Sequence, residues 1–321
     1  MRKYQTEFSL DVYPQFKTLI PAAQLEYFEE ESGRKFHIYG ILLGPRFFVK
    51  PESIKQYENY ISIVLFTNAE GECAEYQINF SIEKDLDHTK LKIDSTYPHS
   101  ILKVEFDDES WAKDKFGSNE IKIDVSELFN VYANSLVDRI NYKVLYIGQA
   151  YGKNGERSAI ERLSQHGTFQ KILIDCRRNY SEYEIYLLLL DMNYGVHMGI
   201  TKPSVFTEKE KNDDESHTRE VLSDLPKEQQ VINITEAAII NYFKPEYNSD
   251  FVENFPCPQH RSYKQYYDLD YNEIVVELDM EFDRFPFVEL YTDTARIKSC
   301  RDFIHYKLEN EERESMYSLF K

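Results

Sequence analysis

The chain changes its apolar period part-way along, and that change limits what it can fold into. To about Val125 the apolar residues follow the two-residue period of a strand. Tyr60–Thr67 (YISIVLFT) is dense in β-branched and aromatic side chains, and Glu75–Ile82 (EYQINFSI) alternates. The NAEGE between them is a hairpin turn signal, and Ser100–Phe106 continues the pattern. A short amphipathic helix is expected near Pro21–Glu31. From Lys143 onward, compact strands alternate with helical spacing. Lys143–Ile147 ends at Gly148 and a polar loop, QAYGKNGE, follows. Arg157–His166 carries Ala159, Ile160 and Leu163 as one apolar stripe, and a second helix is expected over Thr168–Cys176. Tyr183–Met192 reads as a buried strand. It holds the most apolar run of the chain, far below the roughly 20 residues of a membrane span.

The charge-dense stretch Thr201–Gln230, with TEKEKNDDES at its heart, reads as an inserted mobile loop. Thr235–Phe243 reads as a helix with Thr235 as N-cap, Glu236 in its first turn and Pro245 as its stop. Strands are expected at Glu273–Leu278 and Phe287–Tyr291, and a charged helix over Thr294–Glu312. No internal repeat is present. At roughly 150 residues per domain, 321 residues make two to three domains. The expected division is a β-rich N-terminal domain (1–126), a central domain (127–250) carrying the insertion 201–230, and an α/β C-terminal extension (251–321). The class is α+β.

Composition excludes several alternatives. With 42% hydrophobic and 15% aromatic residues the chain supports a core, so wholesale disorder is excluded. Four cysteines stand singly and form no C-x2-C pair, which points to a reduced compartment. The N-terminus lacks an apolar core of signal-peptide length, so a soluble cytoplasmic protein is expected. The net charge of −18 argues at first against a polyanionic partner. Its distribution changes that reading. Residues 1–137, 138–250 and 251–321 carry −8, −4 and −6, but residues 138–180 hold eight basic and four acidic groups, net +4.

That basic segment surrounds a constellation of separated motifs. Tyr146-Ile147-Gly148 ends a strand, Arg162 and His166 follow at R-x3-H spacing, Glu236 lies in ITEAAIINYFKPEYN, and Asn248 closes that run. Each piece alone has a bland alternative: a core aromatic, a solvated Arg–His pair, a helix-start acid, a turn residue. Together and in this order they resemble the GIY-YIG nuclease family, over about 120 of the 321 residues. The resemblance implies a small β-sheet flanked by helices, in the order strand–helix–helix–strand–helix. The first motif of the family, on a strand hairpinned to YIG, would be Asn130-Val131-Tyr132; if that run is helical, its tyrosine is either missing or supplied by Tyr142.

The resemblance also implies a chemistry. Glu236 would hold one Mg²⁺ or Mn²⁺ ion, a hard cation suited to oxygen ligands and retained waters. Arg162 would clamp the phosphate. Tyr132 or Tyr146 would take a proton from the attacking water, with His166 as proton acceptor. Asn248 would brace the site, and Lys153, Arg157 and Lys171 would contact nucleic acid beside it. The expected function is therefore a metal-dependent endonuclease, most readily on DNA, in restriction or phage defence, with a protein partner or a second copy engaging the acidic flanks. The alternatives are a catalytically degenerate binding subunit and an RNA-directed nuclease. Of the remaining features, Cys257–His260 is a C-x2-H pair without a second pair to complete a zinc site. Tyr263, Tyr266, Tyr267 and Tyr271 read as core or partner surface before they read as a base-stacking platform.

Overall fold

The structure, a computed structural model, describes residues 4–25, 35–71, 73–151, 159–164, 166–200, 208–257, 260, 264–282 and 287–308. Along the chain come β1 (Thr6–Pro21), β2 (Ile38–Pro45), β3 (Phe48–Val49), β4 (Lys55–Gln56), β5 (Ile61–Thr67), β6 (Ala74–Phe80), β7 (Lys92–Asp94) and β8 (Ile101–Glu105). Then follow α1 (Glu109–Phe116), β9 (Glu120–Asp124), α2 (Val125–Tyr132), β10 (Arg139–Gln149), α3 (Ala159–Ser164), α4 (Gly167–Asn179) and β11 (Tyr183–Ile200). The last elements are α5 (Glu208–Ser223), α6 (Glu228–Phe243), α7 (Lys264–Asp268), β12 (Glu273–Asp279), β13 (Phe287–Tyr291) and β14 (Arg301–Lys307).

The class is mixed α/β, and its centre is one seven-stranded sheet in the order β13-β10-β2-β11-β1-β12-β14. Its contacts are antiparallel except β10 with β13 and β1 with β12, which run parallel. This sheet draws strands from all three segments read in the sequence, so the cuts at 126 and 250 pass through one hydrogen-bonded layer. The expected hairpin Tyr60–Ile82 is present as β5 and β6, in a smaller four-stranded sheet. That sheet and the three-stranded β7-β8-β9 are both threaded between β2 and β10.

Strand alternation sends the two sides of β2 into different cores. Ile38 and Leu42 join α6, whose buried side includes Val231, Ile234, Ala238 and Phe243. Tyr39, Ile41 and Leu43 face the other way, onto Leu163 of α3 and Phe169, Ile172 and Cys176 of α4. The strand Tyr183–Met192 is present and continues as β11 to Ile200; residues 185–190 are all buried between these layers.

Three local expectations are overturned. The reading of 201–230 as a loop gives way to α5 and the first turn of α6, with 201–207 outside the described residues. The buried stripe of α5 is Asp214, His217 and Val221, so its apolar period is masked by polar residues. Those residues anchor the chain's N-terminal strand. Asp214 accepts hydrogen bonds from Thr6 N (2.7 Å) and Thr6 Oγ1 (2.8 Å), and His217 stacks on Tyr4 at 3.8 Å. Secondly, Thr235 is not an N-cap. α6 starts seven residues earlier at Glu228, and the Thr235 hydroxyl donates back to Val231 O at 2.7 Å. Glu236 therefore lies mid-helix. Thirdly, the expected helix 294–312 is irregular to Ser299–Cys300 and then forms β14, where Ile304 packs inward; 309–312 lie outside the described residues. Alternation in RDFIHYK outweighed its charge. Near residue 21, a single 3₁₀ turn, Ala22–Gln24, stands in the described part of the helix expected over 21–31.

Candidate active site

A β-bulge builds the site. β10 pairs with β2 in register through Val144, and the register then shifts by one before Tyr146. One extra residue in a strand flips every side chain beyond it to the opposite face. Tyr142 lies before the shift and is buried against Tyr186, ring centroids 5.0 Å apart, on the α6 side. Tyr146 lies after it and faces α3 and α4. The alternation that would place Tyr142 beside Tyr146 is therefore broken. Tyr132 is also absent from the cluster: it is the last residue of α2, because Asp124 caps SELFNVY as a helix through Ser126 N and Glu127 N.

The tyrosine opposite the YIG strand is Tyr39. Gly148 pairs with Tyr39 and Ile147 with Gly40 in the β10–β2 ladder. Ring centroids of Tyr39 and Tyr146 are 6.2 Å apart, and His166 lies 5.3 Å from Tyr146 and 6.3 Å from Tyr39. Gly148 is demanded by this packing. A Cβ there would come within 2.7 Å of the Tyr146 ring and of the Tyr39 hydroxyl end. Sequence reading missed Tyr39. Its signal, Ile-Tyr in a strand-forming run, is 107 residues from Tyr146, and the two small sheets interrupt the hairpin that would have announced it.

Arg162 and His166 do not share a helix. Arg162 is in the last turn of α3, and His166 is the N-cap residue of α4, its carbonyl accepting from Gln170 N at 3.2 Å. Both nevertheless reach the tyrosines. The Arg162 guanidinium draws the Tyr39 hydroxyl toward ionisation, while burial and the neighbouring Tyr146 push it the other way and win, so its pKa is raised. Tyr146 is shifted up as well, first by burial and then by the charge of Glu236. Among the described residues no carboxylate forms an ion pair with the part-buried Arg162, whose charge acts on Tyr39 and Glu236.

Glu236 reaches the cluster from α6 through the residue after YIG. Gln149 Nε2 donates to Glu236 Oε2 (2.8 Å) and to Asn233 Oδ1 (2.6 Å), fixing the carboxyl against the end of β10. Gln149 is a second residue that the motif reading did not single out. Burial is the main cause that raises the Glu236 carboxyl to about 7; Asp250 adds to it, while Gln149 and Arg162 oppose it. Asn248 brackets the YIG strand with both ends of its amide. Its Oδ1 accepts from Ile147 N at 2.9 Å and its Nδ2 donates to Ile147 O at 2.8 Å. Its role is thus to hold backbone. Beside it, Lys171 lies 5.5 Å from the Tyr247 ring, and Tyr247 donates to Asp175 at 2.9 Å. Lys153 and Arg157 lie outside the described residues.

Among the described residues, no group of three or more His, Cys, Asp or Glu converges to hold a metal. A divalent ion at Glu236 would have one carboxylate and its own waters, with the charge of Asp250 nearby. That donor set is all hard oxygen and suits Mg²⁺ or Mn²⁺. Among the described residues, Cys257 and His260 belong to no such group. Tyr266 and Tyr271 are fully buried, so they are core rather than a stacking platform, and Tyr263 lies outside the described residues. No helix of the described residues is long and apolar enough to cross a membrane. Comparison with protein-family models, curated proteins and solved structures finds no match.

Proposed function

We propose that this chain is a metal-dependent phosphodiesterase with a GIY-YIG-like active site, acting on nucleic acid and most readily on DNA. The observation that carries the reading is the convergence of Tyr39, Tyr146, Arg162, His166 and Glu236 at one end of β2 and β10, from elements as distant as residues 39 and 236. A cluster that only fills a core would have no reason to assemble a part-buried arginine beside two tyrosines and a carboxyl raised toward neutrality. The arrangement β10-β2-β11 with α3 and α4 on one face supplies the small sheet and helices that such a site uses.

In this reading Arg162 binds a non-bridging oxygen of the scissile phosphate by charge-assisted hydrogen bonds, and these strengthen as charge builds in the transition state. Glu236 holds Mg²⁺ or Mn²⁺, which supplies Lewis-acid activation when bound. Tyr146 orients the attacking water, and His166 beside it receives the proton. The new P–O bond forms from that water as the bond to the leaving oxygen breaks. Tyr39 positions the Arg162 guanidinium and the Tyr146 hydroxyl. Both tyrosines are poor bases as they stand, because burial raises them; substrate and cation charge would have to lower them. Gln149 holds the Glu236 carboxyl in its working rotamer.

The test is plasmid, single-stranded DNA and RNA incubated with the pure protein in Mg²⁺, in Mn²⁺ and in EDTA. Metal-dependent cutting is expected, with Glu236→Gln and Tyr39→Phe each at least 100-fold slower and Tyr132→Phe unchanged. Cutting of RNA alone moves the substrate class. Binding without cutting in either metal replaces the enzyme with a binding subunit of the same fold. The reading fails if Glu236→Gln cuts as fast as wild type.

A further inference from the structure

The sheet face that carries Tyr39 and Tyr146 has an opening away from them. A cavity of about 520 Å³ lies between the C-terminal half of α4, the start of β11 and the turn after β1. That volume falls in the range of small-ligand sites, roughly 300–1,000 Å³. Arg46, just past β2, lines it, and Arg46 is seven residues beyond Tyr39, about 20 Å at strand rise. The cavity is therefore separate from the cluster around Glu236.

Two arginines line this cavity, the part-buried Arg46 and the exposed Arg177, together with one carboxylate, Glu184. Arg46 Nε is shut off from solvent and has no hydrogen-bond partner, while its guanidinium rests 5.6 Å from the Phe48 ring centroid. Among the described residues no carboxylate pairs with either side chain. Glu184 Oε1 accepts from the Tyr186 hydroxyl at 2.9 Å. Burial pushes the Glu184 carboxyl upward, while Ser126, Tyr186 and the charge of Arg46 oppose the shift. The remaining wall is largely apolar, with Pro21, Ala22, Leu173 and Tyr180, and Ser181 adds a hydroxyl. A guanidinium that is part-buried and unpaired is costly to leave so. Two guanidinium groups lining one cavity offer planar forks of the kind that bind an oxyanion bidentately.

We propose that this cavity binds a phosphomonoester carried on a flat, largely apolar body, with Arg46 and Arg177 anchoring the phosphate. A free mononucleotide presents that chemistry, and so does the 5′-phosphorylated end of a nucleic-acid strand. The site stands on its own residues and does not depend on the nuclease reading.

Isothermal titration of the full chain with inorganic phosphate, AMP, adenosine, and a tetranucleotide with or without a 5′-phosphate tests it. AMP is expected to bind and adenosine not to. Arg46→Met and Arg177→Met, which keep the apolar stems, should each weaken AMP at least tenfold, with unchanged circular dichroism and melting temperature. Glu236→Gln should bind AMP as wild type does. A phosphorylated tetranucleotide binding more tightly than AMP identifies a strand end, and the reverse order identifies a free nucleotide. The proposal is overturned if adenosine binds as well as AMP, or if no phosphorylated probe binds at millimolar concentration. It is equally overturned if the Arg46→Met, Arg177→Met double variant retains wild-type affinity, or if Glu236→Gln abolishes binding.

Discussion

Two polar clusters share the seven-stranded sheet and are built to opposite ends. One lies where β1, β11, β12 and β14 run side by side, on the side of β1 turned away from Phe8, Leu10 and Val12. There Ser9 Oγ donates to Asp11 (2.9 Å), Asp11 pairs with His197 (2.5 Å), and His305 Nδ1 stands 2.9 Å from Glu273. Every acid named has an imidazole or hydroxyl partner on a neighbouring strand. In the other cluster no carboxylate among the described residues forms an ion pair with Arg162, and Glu236 has an amide as partner, in a place that raises its proton affinity. Burial is comparable, since Glu273 is buried and Glu236 nearly so, and burial raises both carboxyls. What differs is compensation. Asp11 and Glu273 each meet an imidazole across the sheet, whereas at the Glu236 cluster a ligand can supply the partner.

The largest effect that would sharpen this contrast comes from charge removal. Arg162→Ala should cost 10²- to 10³-fold in metal-dependent cleavage, on the order of 3–4 kcal/mol of transition-state stabilisation, while Asp11→Asn leaves the rate unchanged. A single-turnover rate that responds equally to both would erase the distinction. Next comes Gly148→Ala. Its Cβ meets two tyrosine rings at 2.7 Å, so a loss of about 2–3 kcal/mol in urea unfolding is expected, with activity lost alongside. If that variant is as stable as wild type, the rings are not held where the ladder places them.

The smallest effect is a linkage. Glu236 titrates near 7 in the folded chain against an ordinary value of 4.5. Between those values the folded chain keeps a proton that the unfolded chain has released. Stability is therefore highest below the lower value and declines as pH rises through 7. Glu236→Gln removes the charge that causes the decline. In EDTA it should be about 1–2 kcal/mol more stable than wild type at pH 8, and close to wild type at pH 4.5. Thermal melts of both proteins across that window, giving parallel curves, would show that the carboxyl is solvated.

Legibility from sequence followed the range of the interactions. Strands β5, β6, β8, β12 and β13 and helix α4 were readable because each carries its own period over five to thirteen residues. The YIG strand, Arg162, His166 and Glu236 were readable as residue types at local spacings. Asn248 was readable as the residue closing KPEYN, though its bidentate hold on Ile147 was not, since that contact spans 101 residues. Misreadings arose where a polar residue occupied a buried stripe, as in α5, or where a charged strand imitated a helix, as in β14.

The sequence by itself determined the pieces: which runs become strands, where the basic charge gathers, and which side chains have the chemistry for phosphate and metal. Only the tertiary structure decided which tyrosine stands opposite Tyr146. A single-residue bulge at Leu145 turned Tyr142 away, a capped helix took Tyr132, and a ladder between residues 107 apart brought in Tyr39. Local propensity acts over a few residues, whereas strand register and partner choice are settled by burial across the whole sheet.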